Sequence, residues 1–141
     1  MLDVNVLIAA FRSDHVHHTQ VLPWLRRTLD DAVPITAPDT VWVGFVRLTT
    51  NHRIFEVPAT LEESLAFVSA MTAQPTYVHV GGLLRNLGTF VDVCREASAI
   101  GNLVTDAYIA AIAVARACPV ATLDRDFRRF EGLKIVTPSP A

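Results

Sequence analysis

The stretch 105-TDAYIAAIAVARACPVATLDRDF-127 decides how this chain folds. Its first half is alanine-rich: Ala107, Ala110, Ala111, Ala113, Ala115 and Ala117 fall within a helical pattern from Thr105 to Ala117. Small side chains let such a helix lie close against a sheet. The second half, Pro119 to Leu123, is a short apolar run that reads as a buried strand, and Asp126 to Phe130 reads as a turn or short helix. A helix feeding directly into a buried strand is the repeating unit of an α/β domain, so the pattern predicts a mainly parallel sheet flanked by helices.

The same alternation extends in both directions. Met1 to Val4 reads as an opening strand, and His15 to Leu29 as a helix with Asp14 as its N-cap. Pro34-Ile35-Thr36-Ala37-Pro38 is a short strand between prolines. Asp39 or Thr40 caps a helix running through Thr50, and Leu61 to Ala73 forms another, with Glu62 and Glu63 in its first turn. Thr76 to Val80 is a further short strand, Gly81-Gly82 breaks the chain, and Leu83 to Ala97 returns to helical period. Leu133 to Thr137 is the last strand, ended by Pro138-Ser139-Pro140.

With 141 residues, 51% hydrophobic and 18% charged, the chain has room and apolar material for one domain, 1–141, with a buried core. No run of about eighteen apolar residues marks a membrane span, and the opening Met1-Leu2-Asp3 argues against a signal peptide. Cys94 and Cys118 sit in no metal or redox spacing, which suits a reducing cytoplasm. The net charge of -2 is a poor fit to a protein that grips nucleic acid by bulk charge alone. Eleven of the twelve cations are arginine, which suits bidentate phosphate contact; GC-rich codon usage produces the same bias.

Ligands of open α/β sheets sit beyond the carboxyl ends of the strands, so acids at that edge are the candidates for chemistry. Asp3 ends the first strand run, Asp124 follows Val120-Ala121-Thr122-Leu123, Asp126 lies two residues on, and Asp106 opens the alanine-rich helix. Carboxylates gathered there repel by about 4 kcal/mol per close pair at an effective dielectric near 20, so such a site implies a cation. Hard oxygen donors without clustered thiols point to magnesium or manganese. Each acid also has an ordinary structural reading: Asp124 and Asp126 as turn caps, Asp106 as a helix N-terminal charge. Asp3, within apolar Leu2-Asp3-Val4, resists that reading best, because a buried carboxylate without a cation is costly. A magnesium-bridged cluster further implies that Asp3→Asn and Asp106→Asn each raise metal-free stability by relieving repulsion.

The opening Leu-Asp-Val-Asn-Val-Leu-Ile (2–8), the middle Thr-Asp-Ala-Tyr-Ile-Ala-Ala (105–111) and the late Ala-Thr-Leu-Asp-Arg-Asp-Phe (121–127) resemble the three acidic blocks of PIN-domain ribonucleases. Within that family the chain is most similar to VapC-type toxins of bacterial toxin–antitoxin modules. The resemblance implies a PIN-like three-layer α/β sandwich. It also implies a magnesium-dependent endoribonuclease acting on structured RNA such as tRNA or rRNA, a homodimer, and a cognate VapB-type antitoxin that neutralises it. Carried over by position, Asp3, Asp106 and Asp124 match the family's catalytic metal-binding aspartates, and Asp126 belongs to the third block. The carboxylates hold metal and do not attack, so no serine or cysteine nucleophile is required. The family's second acid is normally a glutamate opening a Glu-Phe-x-Arg-like segment, whereas this chain reads Trp42-Val43-Gly44-Phe45-Val46-Arg47, with Gly44 in its place. Asp39 and Asp126 are the nearest substitutes for the missing charge.

Two alternatives follow from the same residues. A catalytically degenerate PIN module would bind RNA or antitoxin without cutting. A phosphoaspartyl hydrolase would place Asp-x-Asp at Asp3-Val4-Asn5, but Asn5 lacks the acid that chemistry needs. Arg47, Thr49, Thr50, Asn51, His52 and Arg53 form a polar, cationic helix exit, suited to RNA phosphates or simply to solvent. His15, His17 and His18 read as surface histidines at a helix start, and Trp42, Phe45 and Phe90 as core or interface.

Overall fold

In a computed structural model that describes residues 1–82, 85 and 87–139, the elements run α1 (Val4–Phe11), α2 (His18–Asp30), α3 (Asp39–Thr49), α4 (Leu61–Thr72), α5 (Leu87–Glu96), α6 (Leu103–Ala115), β1 (Val120–Ala121), a 3-10 turn (Arg125–Arg129) and β2 (Ile135–Val136). β1 and β2 pair in parallel, Val120 opposite Ile135 and Ala121 opposite Val136. Leu2 bridges Ala121 in parallel on the other side of β1, and the Leu2 amide donates to the Thr36 carbonyl at 2.7 Å. Ile35 in turn bridges Tyr77 in parallel.

Five short extended segments therefore lie side by side in the order β2, β1, Leu2, Ile35–Thr36, Tyr77. From the Leu2–Ala121 junction the chain winds outward in both directions, the doubly wound arrangement that opens a crevice where the winding reverses. The fold is the expected α/β sandwich with a parallel centre, but the strands are far shorter than their apolar runs. Prolines at 34, 38 and 119 flank two of them, and proline has no amide hydrogen to donate to a sheet. The opening strand stops at Asp3 because its side chain accepts the Val4 amide at 2.6 Å and starts α1 there.

Both helices that flank this junction are apolar almost all round, as buried helices are. α1 buries Val6 to Ala10 without interruption, and α6 buries Ala107 and Ile109 to Ala113. α1 packs on α2 and α3, while α6 packs on α5, β1 and the 3-10 turn. The alanines of α6 allow its contact with β1, as expected. Phe127, fully buried, anchors the 3-10 turn beneath it.

Two cap expectations are corrected. Asp14 does not cap α2, which starts after His17 without a side-chain cap; it forms a two-point pair with Arg12 instead. Arg12 also covers the Phe55 ring at 3.9 Å and donates to the Val57 carbonyl, so these charges clamp the loop after α3. Neither Asp39 nor Thr40 caps α3, because Pro38 occupies the cap position and Asp39 is already helical. Glu63, by contrast, closes a full capping box with Thr60 at the head of α4. The helix expected from Leu83 is described from Leu87; residues 83, 84 and 86 lie outside the described residues, as do 140 and 141.

Trp42 and Phe45 are core residues, and Phe90 packs edge-on against Tyr108. Among the histidines, His18 turns its Nδ1 to the Ala9 carbonyl at 2.9 Å. Among the described residues no helix is long and apolar enough to cross a membrane.

Candidate functional site

Asp3 sits at the winding reversal and is only 3% exposed. Three donors hold its carboxylate: the Val4 amide on Oδ1, and Asn5 Nδ2 and Thr122 Oγ1 on Oδ2, each at 2.6 Å. Burial, the largest influence, nevertheless pushes its pKa above the usual carboxylate range, with Asp124 adding to the rise against the lowering effect of those hydrogen bonds. Asn5 and Thr122 tie the two strand ends together. Asn5 Nδ2 also donates to Thr122 Oγ1 at 3.1 Å, and Asn5 Oδ1 accepts the Leu123 amide at 3.1 Å. Thr122 Oγ1 further accepts the Asp124 amide at 3.0 Å.

Asp106, in the first turn of α6, is half-buried, and no described group donates to its carboxylate. Its pKa is pushed up to about 7, first by burial and then by the charges of Asp3, Asp124 and Asp126. The four aspartates singled out in the sequence therefore share one electrostatic neighbourhood. Their surroundings differ. Asp124 is exposed and caps the 3-10 turn through the Asp126 amide at 2.8 Å, and Asp126 lies 3.5 Å from Arg129 in an exposed ion pair.

A cleft of about 370 Å³ opens beside the pair at positions 3 and 106. Its walls include both carboxylates, Asp39 and Thr40 at the head of α3, Val43, Gly44 and Arg47 further along that helix, and Ile109 of α6. Gly44 thus faces the site, and a Cβ there would meet nothing nearer than Val4 Cγ2 at 3.9 Å. The gap left by the missing acid is real space. Asp39 shares the cleft, where its charge contributes to raising the Tyr108 hydroxyl pKa after the larger effect of burial.

Among the described residues no group of three or more His, Cys, Asp or Glu side chains is placed to hold one metal ion. The donor chemistry nevertheless suits magnesium, which is commonly held by one or two carboxylates plus substrate phosphates and keeps several waters. Asp106, a carboxylate without a donor among other acids, is where such an ion relieves most repulsion. An all-protein cage is not what these residues form.

Sequence reasoning did not pick out Asn5 and Thr122, the two groups that organise Asp3. The available signal was their spacing, each two residues from an acid that had been selected. Arg47 belongs in the sequence to the Glu-Phe-x-Arg-like segment and to a polar helix exit, and its position beside Asp3 and Asp106 emerges from the packing of α3.

The PIN domain family model matches residues 1–133. Ribonuclease VapC31 of Mycobacterium tuberculosis is 47% identical over 138 residues, covering 98% of this chain and 97% of that protein. Ribonuclease VapC25 of the same organism is 46% identical with the same coverage. Among solved structures, the crystal structure of VapBC2 from Rickettsia felis bound to a DNA fragment from their promoter matches with a TM-score of 0.69, covering 96% of each chain at 16% identity, a likeness of fold. Family model, relatives and the acids at the winding reversal agree: the chain belongs to the PIN-domain family, within its VapC group.

Proposed function

We propose that this protein is a magnesium-dependent endoribonuclease toxin that hydrolyses phosphodiester bonds in structured RNA, tRNA or rRNA, and is neutralised by a cognate VapB-type antitoxin. The observation that carries the reading is the convergence of Asp3, Asp106, Asp124 and Asp126 on one field, which adds to burial in pushing the Asp106 pKa up to about 7. Two relatives of nearly equal length carry the name ribonuclease, and a structural neighbour is a VapBC assembly.

Magnesium, with manganese as a substitute, supplies when bound the charge that polarises a phosphate and acidifies a water. Asp3 and Asp106, which line one cleft, are the first residues to hold it, with Asp124 as the third and Asp126 assisting. The donors on Asp3 fix that carboxylate's orientation, and Asp106 is left with its oxygens free for a cation. No side-chain nucleophile is required. RNA presented as a single-stranded loop suits the cleft best, because unpaired strands can be splayed into it. We place the protein as a single domain, a homodimer and a cytoplasmic protein on the same reading.

A second reading has its own support. Gly44 in the cleft wall and the absence of a three-carboxylate cage among the described residues favour a degenerate module that binds RNA or antitoxin without cutting. Incubating the purified protein with total RNA in magnesium, in manganese and in EDTA separates the two. Discrete cleavage ends that vanish in EDTA and in Asp106→Asn support the enzyme. RNA left intact in every metal, with antitoxin still bound, establishes the binding module.

A further inference from the structure

Arg47 has no place in the metal chemistry, yet it lines the same cleft as Asp3 and Asp106. It is exposed, and among the described residues it makes no ion pair or hydrogen bond; the ion pairs there are Arg12–Asp14 and Arg129–Asp126. One turn earlier on the same face of α3 stands Gly44, which adds no side chain to the cleft. Asp39, Thr40 and Thr105 share the remaining walls with the apolar side chains of Val4, Val41, Val43, Leu48 and Ile109. Those apolar side chains lower the local dielectric and strengthen any charge contact made between them.

We propose that Arg47 is a substrate-binding residue that grips a backbone phosphate of single-stranded RNA in this cleft, adjoining the phosphate presented to Asp3 and Asp106. This deepens the ribonuclease reading and rests on it. The chemistry is that of a planar fork meeting a phosphate, with two parallel N–H donors to two oxygens. An unpaired arginine set among apolar side chains beside carboxylates has the opposite sign to its charged neighbours. It can therefore receive the anion that those carboxylates alone repel.

The test uses the full chain with a fluorescein-labelled single-stranded RNA oligonucleotide, read by anisotropy in EDTA across a salt series, and by cleavage kinetics in magnesium. Arg47→Ala is expected to weaken binding about tenfold. It should also flatten the dependence of log affinity on log salt by about 0.7, the loss of one phosphate contact to a single strand. In kinetics it raises KM with kcat little changed. Arg47→Lys retains the salt slope but not the full affinity.

Thermal unfolding of both variants monitors the fold. A lowered melting temperature with unchanged RNA affinity would mean that Arg47 only serves the α3 C-terminus, and would overturn the inference. So would a loss of antitoxin binding with RNA binding and KM intact. A wild type that neither binds nor cuts RNA removes the ribonuclease reading as well; a wild type matched by Arg47→Ala removes this inference alone.

Discussion

Thr122 Oγ1 donates to Asp3 Oδ2 at 2.6 Å across a separation of 119 residues. That one contact joins the first and fourth extended segments at the point where the sheet reverses its winding. It gives a buried carboxylate one of its three donors. The same hydroxyl accepts the Asp124 amide, so it sets the position of two acids at once.

Removing that hydroxyl should therefore cost more than an ordinary surface threonine. Thr122→Val leaves Asp3 buried with two donors, and we expect a loss of about 1.5–3 kcal/mol, the range for hydrogen bonds to charged groups. Thr122→Ser keeps the donor and should recover most of it. Urea unfolding at pH 7 measures both, and a Thr122→Val as stable as the wild type beside a destabilised Thr122→Ser would show that the methyl packing, not the hydroxyl, matters.

The two central acids should respond oppositely to neutralisation. Asp106→Asn removes a charge that has no donor and three acidic neighbours, so the metal-free protein should melt a few degrees higher. Asp3→Asn was expected from the sequence to do the same. The hydrogen bonds reverse that expectation, because an amide nitrogen would face the donating Asn5 Nδ2 and Thr122 Oγ1. We expect Asp3→Asn to lose about 1–3 kcal/mol, the cost of a buried donor left unsatisfied. Calorimetry in EDTA distinguishes the pair.

Metal-free stability should fall as pH rises. Asp106 titrates near 7 when folded against 3.8 for the ordinary side chain, so between those values the folded state binds more protons than the unfolded. This contribution is fully present below about pH 4 and lost as pH climbs through 7. Asp3, also raised, acts in the same direction. Melting temperatures in EDTA should accordingly drop between pH 5.5 and 8, the Asp106 share should disappear in Asp106→Asn, and added magnesium should restore the wild type at pH 8. A flat profile would count against a shared acidic field.

Position 44 offers a gain-of-function check. Gly44→Ala places a methyl group in open space within a helix, and should stabilise the protein by about 0.5–1 kcal/mol. Gly44→Glu adds a carboxylate to the cleft wall. Against Gly44→Gln as control, it should tighten manganese binding measured by titration calorimetry while lowering the metal-free melting temperature. No difference between the glutamate and glutamine variants would place the cation elsewhere.

Much of this site was legible in the chain itself. Asp3, Asp106 and Asp124 stand out because each ends or begins an apolar element, and α4 and α6 announce themselves through Thr60 to Glu63 and the alanine pattern. Gly44 stands out through the family resemblance, which implies a glutamate at that place. These features are local: periodicity, capping chemistry and the residue type at a given place depend on neighbours a few positions away.

What the packing decided is non-local. Asp14 turned to Arg12 rather than to a helix end, the strands contracted to two residues or a single bridge, and Asp3 acquired a donor from the far end of the chain. Arg47 became part of the acidic cleft only because α3 lies across α1. A carboxylate's partners, its burial and hence its proton affinity depend on which groups meet in space, and that is fixed when the two halves of the sheet close around Leu2, not by the order of residues along the backbone.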